Sequence, residues 1–196
     1  MILFILYLVV AYLIGAIPTG LLLTRLTGGG DIRKSGSGNI GATNVYRTAG
    51  RKLGILTLVL DALKGVLPVL FAMAVLHYDD SRLGAVAIAA FLGHCYPVYI
   101  GFKGGKGVAT ALGIYLVLSP LAVLVAFLIF AGLLWKWSYV SLGSICAAAA
   151  IPVLVYLFEG SVPLLLATLV ISGIVIVRHR GNIKRLVDGT ENRFKA

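Results

Sequence analysis

LGILTLVLDALKGVLPVLFAMAVL, residues 53–76, runs for 24 residues with two charges, Asp61 and Lys64. A helix needs about 20 mostly apolar residues to cross the hydrocarbon core of a bilayer, so this stretch predicts a transmembrane helix. Similar runs lie to either side, at 2–24, 83–100, 108–118, 121–135, 139–157 and 162–178. The 196 residues are 60% hydrophobic and 12% charged, against about one quarter charged in an ordinary soluble domain. No room remains for a separate soluble domain, and the whole chain, 1–196, is expected to form one membrane domain.

The first run lacks a basic leader and exceeds the ~7–15 apolar residues of a signal peptide core, so it predicts a retained helix. The stretch 108–135 is long for one span and short for two, but Ser119-Pro120 in its middle reads as a turn. Charge decides between the two. With seven spans and the N-terminus outside, Arg25, Arg33, Lys34, Arg47, Arg51, Lys52, Lys103, Lys106, Lys136, Arg178, Arg180, Lys184, Arg185, Arg193 and Lys195 share one side. Arg82 falls opposite, with Asp79, Asp80 and Glu159. The positive-inside rule therefore predicts an all-α integral membrane protein of seven transmembrane helices, N-terminus outside and C-terminus cytoplasmic. Merging 108–135 into one span would strand Lys136 and every later basic residue outside. This topology, with contact to anionic lipid headgroups, also accounts for much of the formal charge of +10. No nucleic-acid-binding pattern is present.

Three segments on the basic side carry more than a connection needs. Between Arg25 and Lys52 runs Ser35-Gly36-Ser37-Gly38-Asn39-Ile40-Gly41-Ala42-Thr43-Asn44, followed by Arg47. Glycines let successive backbone N–H groups converge on an anion, Ser, Thr and Asn add donors without bulk, and Arg47 adds a charge-assisted bond. A flexible Gly/Ser linker would have no need of Asn39, Asn44 and Arg47 set among the glycines. Gly36-x-Gly38-x-x-Gly41 matches a dinucleotide fingerprint in form only, because a membrane helix rather than a strand precedes it.

The second segment, Gly101-Phe102-Lys103-Gly104-Gly105-Lys106-Gly107-Val108-Ala109-Thr110, sets a glycine turn and two lysines at a helix start, a place that binds anions. Its glycine spacing is not that of a P-loop, and Lys106 precedes Gly107 rather than Ser or Thr. The third is the tail from Arg178-His179-Arg180-Gly181-Asn182 through Arg185 to Gly189-Thr190-Glu191. Topology requires its basic residues, but not His179 and Asn182.

Asp61 and Lys64 share a helical face inside a span, where charge is costly and is a functional hypothesis by default, whether as a structural ion pair or in the chemistry. His94, ahead of Tyr96-Pro97, is a candidate acid, base or phosphate donor, with helix packing as the plainer alternative. His77, His94 and His179 are too scattered for a metal cluster, and no metal is expected. Cys95 and Cys146 lie in apolar surroundings and predict no disulfide. Trp135-Lys136-Trp137 reads as an interfacial anchor, and small residues such as Gly84, Ala87, Ala90 and Gly93 as close helix packing.

The motifs Ser35–Asn44 with Arg47, Asp61-x-x-Lys64-Gly65, Gly93-His94 with Gly104–Thr110, and His179-Arg-x-Asn182-Ile-x-Arg185 to Glu191 resemble those of the bacterial membrane acyl-phosphate:glycerol-3-phosphate acyltransferases, the PlsY family. The resemblance spans essentially the whole chain. It implies transfer of a long-chain acyl group from acyl phosphate to glycerol 3-phosphate, giving lysophosphatidic acid and inorganic phosphate, the first acylation of phospholipid synthesis, at the cytoplasmic side of the inner membrane and with no cofactor. On this reading the candidate catalytic residues are Ser35, Arg47, Lys106, His179 and Asn182. Gly36, Ser37, Asn39 and Asn44, with Gly104, Gly105 and Gly107, are expected around the acyl phosphate. Lys103, Thr110, His94 and Arg185 join the binding set, and Glu191 is expected to orient its neighbours. Which residue binds which phosphate stays open, as does the proton acceptor, either a substrate phosphate oxygen or a histidine. An anion transporter, the competing class, needs similar residues, but would place polar groups near the midplane and on both faces.

Overall fold

The computed structural model describes residues 1–194, and among them the chain forms ten α-helices and no strand. It divides into two compact units, one from Met1 to Val117 and one from Leu118 onward.

The first unit holds α1 (Ile2–Gly15), α2 (Thr19–Leu26), α3 (Ala42–Ala49), α4 (Arg51–Ala74), α5 (Asp80–Cys95) and α6 (Val108–Leu118). In α4 the buried residues are Gly54, Thr57, Asp61, Lys64, Gly65, Pro68, Val69 and Ala72, a stripe at three- and four-residue spacing. Leu56, Leu63, Leu67, Leu70 and Phe71 are exposed. Polar and small residues thus face the protein while leucines face outward, as lipid demands.

The run at 2–24 is not one straight helix. It breaks at Ile17-Pro18, where Pro18 (φ −85°, ψ 71°) adopts an inverse γ-turn closed by Thr19 N–H donating to the Ile17 carbonyl at 3.0 Å. The helices on either side, α1 and α2, are bent by 41°. Tyr7 Oη donates to the Pro68 carbonyl at 2.6 Å and Lys64 Nζ to the Ile17 carbonyl at 2.8 Å, so α1 and α4 run in opposite directions. Arg82 lies over the Phe4 ring at 5.9 Å, and Gly15 lies against Ala90 further along, so α1 and α5 run in the same direction. A Cβ on Gly93 would overlap the α1 backbone at Tyr12 and Ala16, which is the close packing the small residues predicted.

The second unit holds α7 (Pro120–Trp137), α8 (Val140–Glu159), α9 (Val162–Arg178) and α10 (Arg180–Val187). The Ser119-Pro120 turn forms, with Pro120 in the first turn of α7 where its missing N–H costs nothing. Ser161 caps α9, its hydroxyl accepting from Leu164 N–H at 3.4 Å. The bend between α9 and α10, 55°, falls at His179.

Four helical stretches are long and apolar enough to cross a bilayer, Arg51–Ala74, Asp80–Ile100, Pro120–Trp137 and Val140–Glu159, and six are if each bent pair counts as one span. These match the predicted runs at 53–76, 83–100, 121–135 and 139–157, with 2–24 and 162–178 in the bent pairs. The remaining run, 108–118, forms the 11-residue α6, short of a full crossing by itself. Of the basic residues used for the topology, Lys195 lies outside the described residues.

Candidate active site

In the first unit, the segment from Asp31 to Ala49 is held in shape by two side chains. The Asp31 carboxylate accepts from Arg33 Nη2 at 2.6 Å and Arg25 Nη2 at 3.2 Å, and also from Arg33 N–H at 3.1 Å. The hydrogen bonds from the Arg33 side chain hold its carboxyl well below the usual range. Arg25 and Arg33 are thereby engaged with the loop itself. The second organiser is Asn44, 3% exposed. Its Oδ1 accepts from Ser37 N–H at 2.9 Å, and its Nδ2 donates to the carbonyls of Asn39 (2.8 Å), Ser35 (3.1 Å) and Ile32 (3.4 Å).

This geometry changes the role of the glycines. Ser35 N–H donates to the Ile32 carbonyl at 3.2 Å and Gly38 N–H to the Ser35 carbonyl at 3.0 Å, so much of the loop's backbone donor set is committed internally. Gly36 (φ 58°) is required because a Cβ there would overlap the Asn44 amide and the Thr48 methyl. Asn39 caps the turn into α3, its Oδ1 accepting from Gly41 N–H at 3.2 Å. What the loop turns outward is side chain. Ser35 and Ser37 are exposed, and so is Arg47 on α3.

The glycine segment before α6 shows a parallel difference. Gly104 N–H donates to the Cys95 carbonyl and Gly105 N–H to the His94 carbonyl, both at 3.2 Å, so this pair closes the C-terminal end of α5. A Cβ on Gly105 would overlap the His94 imidazole, and one on Gly107 (φ 79°) the Phe91 ring. Lys103 is exposed and Lys106 partly so, while Thr110 is fully buried, its Oγ1 without a hydrogen-bond partner among the described residues. His94, expected beside the substrate, is instead 3% exposed, behind this segment.

Asp61 and Lys64 form a buried ion pair at 2.8 Å, with side chains 2% and 4% exposed. Asp61 Oδ1 also accepts from Thr19 Oγ1 and faces His94 Nδ1 at 3.7 Å.

In the second unit, the tail folds onto the start of α8. Glu191 Oε1 accepts from Asn182 Nδ2 at 2.7 Å and Ser141 Oγ at 2.9 Å, and Oε2 accepts from Arg185 Nε at 2.7 Å. Burial pushes the Glu191 carboxyl up, but the hydrogen bonds from Asn182, Ser141 and Arg185 outweigh it and leave the group below its ordinary value. Asn182 is thus buried and aimed by Glu191. His179, at the α9–α10 bend, is 3% exposed, and its Nδ1 lies 2.8 Å from the Val175 carbonyl. A carbonyl only accepts, so Nδ1 carries the proton and in the neutral ring Nε2 is the acceptor. Arg193 over the Tyr139 ring at 5.7 Å and Phe194 N–H donating to the Ser138 carbonyl at 2.6 Å continue the anchoring. Sequence reasoning missed Ser141 and Thr19. Each is a hydroxyl in an apolar run, without a signal of its own.

Residues 5–189 match the family model described as glycerol-3-phosphate acyltransferase. The curated glycerol-3-phosphate acyltransferase of Syntrophotalea carbinolica is 69% identical, over 98% of either chain, and that of Geobacter sulfurreducens 60% identical, over 95% of either chain. Two crystal structures of PlsY (YgiH), an integral membrane glycerol 3-phosphate acyltransferase, superpose closely. The glycerol 3-phosphate form gives a TM-score of 0.93 at 43% identity, covering 98% of this chain and 96% of that one. The lysophosphatidic acid form gives 0.91 at 42%, covering 98% and 95%. These relatives are acyltransferases, and the transporter reading is left without support.

Proposed function

Since the chain belongs to the glycerol-3-phosphate acyltransferase family, we propose that it transfers a long-chain acyl group from acyl phosphate to glycerol 3-phosphate, releasing inorganic phosphate and lysophosphatidic acid. The observation that carries this is the extent of the family match, residues 5–189, which takes in the first two polar segments and the third as far as Gly189. A hydroxyl of glycerol 3-phosphate attacks the acyl carbonyl, the new ester C–O bond forms, and the carbonyl–phosphate bond breaks. The donor is already activated, so positioning two anions and stabilising charge on the carbonyl oxygen and leaving phosphate supply most of the catalysis. The residues proposed to carry that work are Ser35, Arg47, Lys106, His179 and Asn182. The hydroxyl proton passes to a substrate phosphate oxygen, with His179 Nε2 as the competing acceptor. Gly36, Asn39 and Asn44 serve through loop shape, and Ser37 and Lys103 through their exposed donors. Glu191 orients Asn182 and Arg185. The acyl chain lies among apolar helices, since about 0.8 kcal/mol per methylene is lost in water.

We further propose that the whole chain acts as one inner-membrane domain of seven spans, N-terminus outside and active residues cytoplasmic. The opposed directions of α1 and α4 and the common direction of α1 and α5 support alternation. The short α6 supports a span that starts within the membrane. Reagents that cannot cross the membrane should label a cysteine at position 79 from outside and one at 181 only from inside.

The test of activity mixes purified protein with acyl phosphate and glycerol 3-phosphate and follows phosphate and lysophosphatidic acid together. Phosphate release indifferent to glycerol 3-phosphate would sink acyl transfer. His179→Gln then separates the proton acceptors, because a fall in maximal rate well under tenfold would leave the proton to the substrate phosphate.

A further inference from the structure

We propose that His94 is a positioning residue for the Gly104–Lys106 turn and that the buried Asp61–Lys64 pair is its anchor, linking the break in the first helix pair to the substrate loop. This rests on the reading above that the turn contacts substrate.

The chain breaks at Pro18, between α1 and α2. An interrupted helix in an apolar medium leaves carbonyls that need donors. Lys64 Nζ supplies one to the Ile17 carbonyl at 2.8 Å, and Thr19, the first residue of α2, donates its hydroxyl to Asp61. Asp61 and Lys64 lie about 15–20 Å along α4 from Arg51 at 1.5 Å per residue, deep in the bilayer, where an ion pair without such partners would be costly.

The same carboxylate faces His94 Nδ1 at 3.7 Å. With Nδ1 turned to Asp61, the imidazole presents its opposite edge to Gly105, where a Cβ would strike Nε2, Cε1 and Cδ2. His94 also receives the turn through its own carbonyl, which accepts from Gly105 N–H at 3.2 Å. The ring is therefore the floor of the turn that ends in Lys106, and its orientation is set from the far side by Asp61. Since His94 is 3% exposed, it acts through Gly105 and Lys106 rather than by touching substrate.

The experiment uses the purified full chain and reads two quantities, steady-state kinetics against glycerol 3-phosphate and amide hydrogen exchange across residues 101–110. His94→Leu removes both the polar contact to Asp61 and the shape of the ring edge. A misplacement of about 1 Å costs on the order of 100-fold, so kcat/KM is expected to fall about 10- to 100-fold, mostly through KM. Exchange at 101–110 rises while the 31–41 loop is unchanged. His94→Asn, which keeps an N–H near the Nδ1 position, recovers most of the affinity. Asp61→Asn shows the same KM-weighted defect. Gly105→Ala, which attacks the contact from the other side and leaves the ion pair alone, raises KM, and combined with His94→Asn gives less than the product of the two effects. A drop in kcat at constant KM would make His94 a catalytic residue and overturn the proposal. Exchange rising throughout the chain with a lowered melting temperature would reduce His94 to a general packing residue. If the wild-type protein forms no lysophosphatidic acid, the functional reading fails, and the exchange pattern still decides whether His94 holds the turn.

Discussion

Replacing Glu191 tests how the C-terminal segment is built. Its carboxylate takes three hydrogen bonds, Oε1 from Asn182 and Ser141 and Oε2 from Arg185. In Glu191→Gln the amide oxygen can keep its place between Asn182 and Ser141, but the new NH2 then meets the Arg185 Nε–H, donor against donor. One charge-assisted bond is lost, about 1.5–3 kcal/mol. Glu191→Ala removes both acceptor oxygens, and with them all three hydrogen bonds, and leaves the Asn182 amide buried without its partner, so about 3–5 kcal/mol is expected. At 1.4 kcal/mol per decade, the glutamine variant should open the tail about 10- to 150-fold more often, and the alanine variant at least as often as the upper end of that range. Amide exchange over residues 179–194 measures this directly. Ser141→Ala, losing one bond from an uncharged donor to the same carboxylate, should change it by no more than the glutamine variant does. The maximal rate should fall more in Glu191→Ala than in Glu191→Gln, because Asn182 loses its aim only in the former. The reasoning is refuted if both Glu191 variants exchange within twofold of wild type, or if Ser141→Ala is the more severe.

Three other outcomes are expected. The Glu191 carboxyl is depressed below its ordinary value of about 4.3, so its contribution to stability is complete above that value and is lost as pH falls through the lower folded value; acid should loosen residues 179–194 in wild type, and exchange in Glu191→Gln should lack that dependence. Gly36→Ala, at φ 58° and against Asn44, should destabilise the loop by about 1–3 kcal/mol and abolish most activity, whereas Gly38→Ala, at a similar φ of 71° but with its Cβ 3.2 Å from the Arg33 carbonyl, should be milder in a paired kinetic comparison because it adds backbone strain without the overlap. Asp61→Leu or Lys64→Met alone should cost about 3–5 kcal/mol by thermal unfolding in detergent, and the double replacement should recover only part of that loss, because it leaves no unpaired buried charge but still strips the Ile17 carbonyl and the Thr19 hydroxyl of their partners.

The helices were legible because each apolar run is bounded by charge or by Gly, Ser and Pro, and lipid leaves few alternatives to a helix for such a run. The break at Pro18 was not, and two other prolines show why. Pro68 and Pro152 sit inside α4 and α8 without ending them. Proline removes one N–H at each place. At position 18 Lys64 and Thr19 stabilise a break, their partners being Ile17 and Asp61. The sequence shows the proline but not the residues that meet it, so the same signal has opposite outcomes.

The site divides in the same way. A polar residue in a glycine-rich motif can point to a ligand or to its own backbone, and local spacing is silent on which. Asn44 and Asp31 bind their own loop, and the Gly104 and Gly105 N–H groups close α5. A flexible glycine loop would have to lose its conformational freedom when substrate binds, at about 1–2 kcal/mol per residue. A loop already fixed by Asn44, and a turn already seated on His94, bear that cost during folding, so on the proposed function the exposed Ser35, Ser37, Arg47 and Lys103 would meet an anion from a settled frame. The glycines are therefore needed less as anion-binding amides than as the places where Asn44, Phe91 and His94 can approach the backbone closely enough to hold it. Such a frame also explains why a chain with so few polar residues keeps several of them buried. They set the geometry, and the residues left at the surface can be the ones that react.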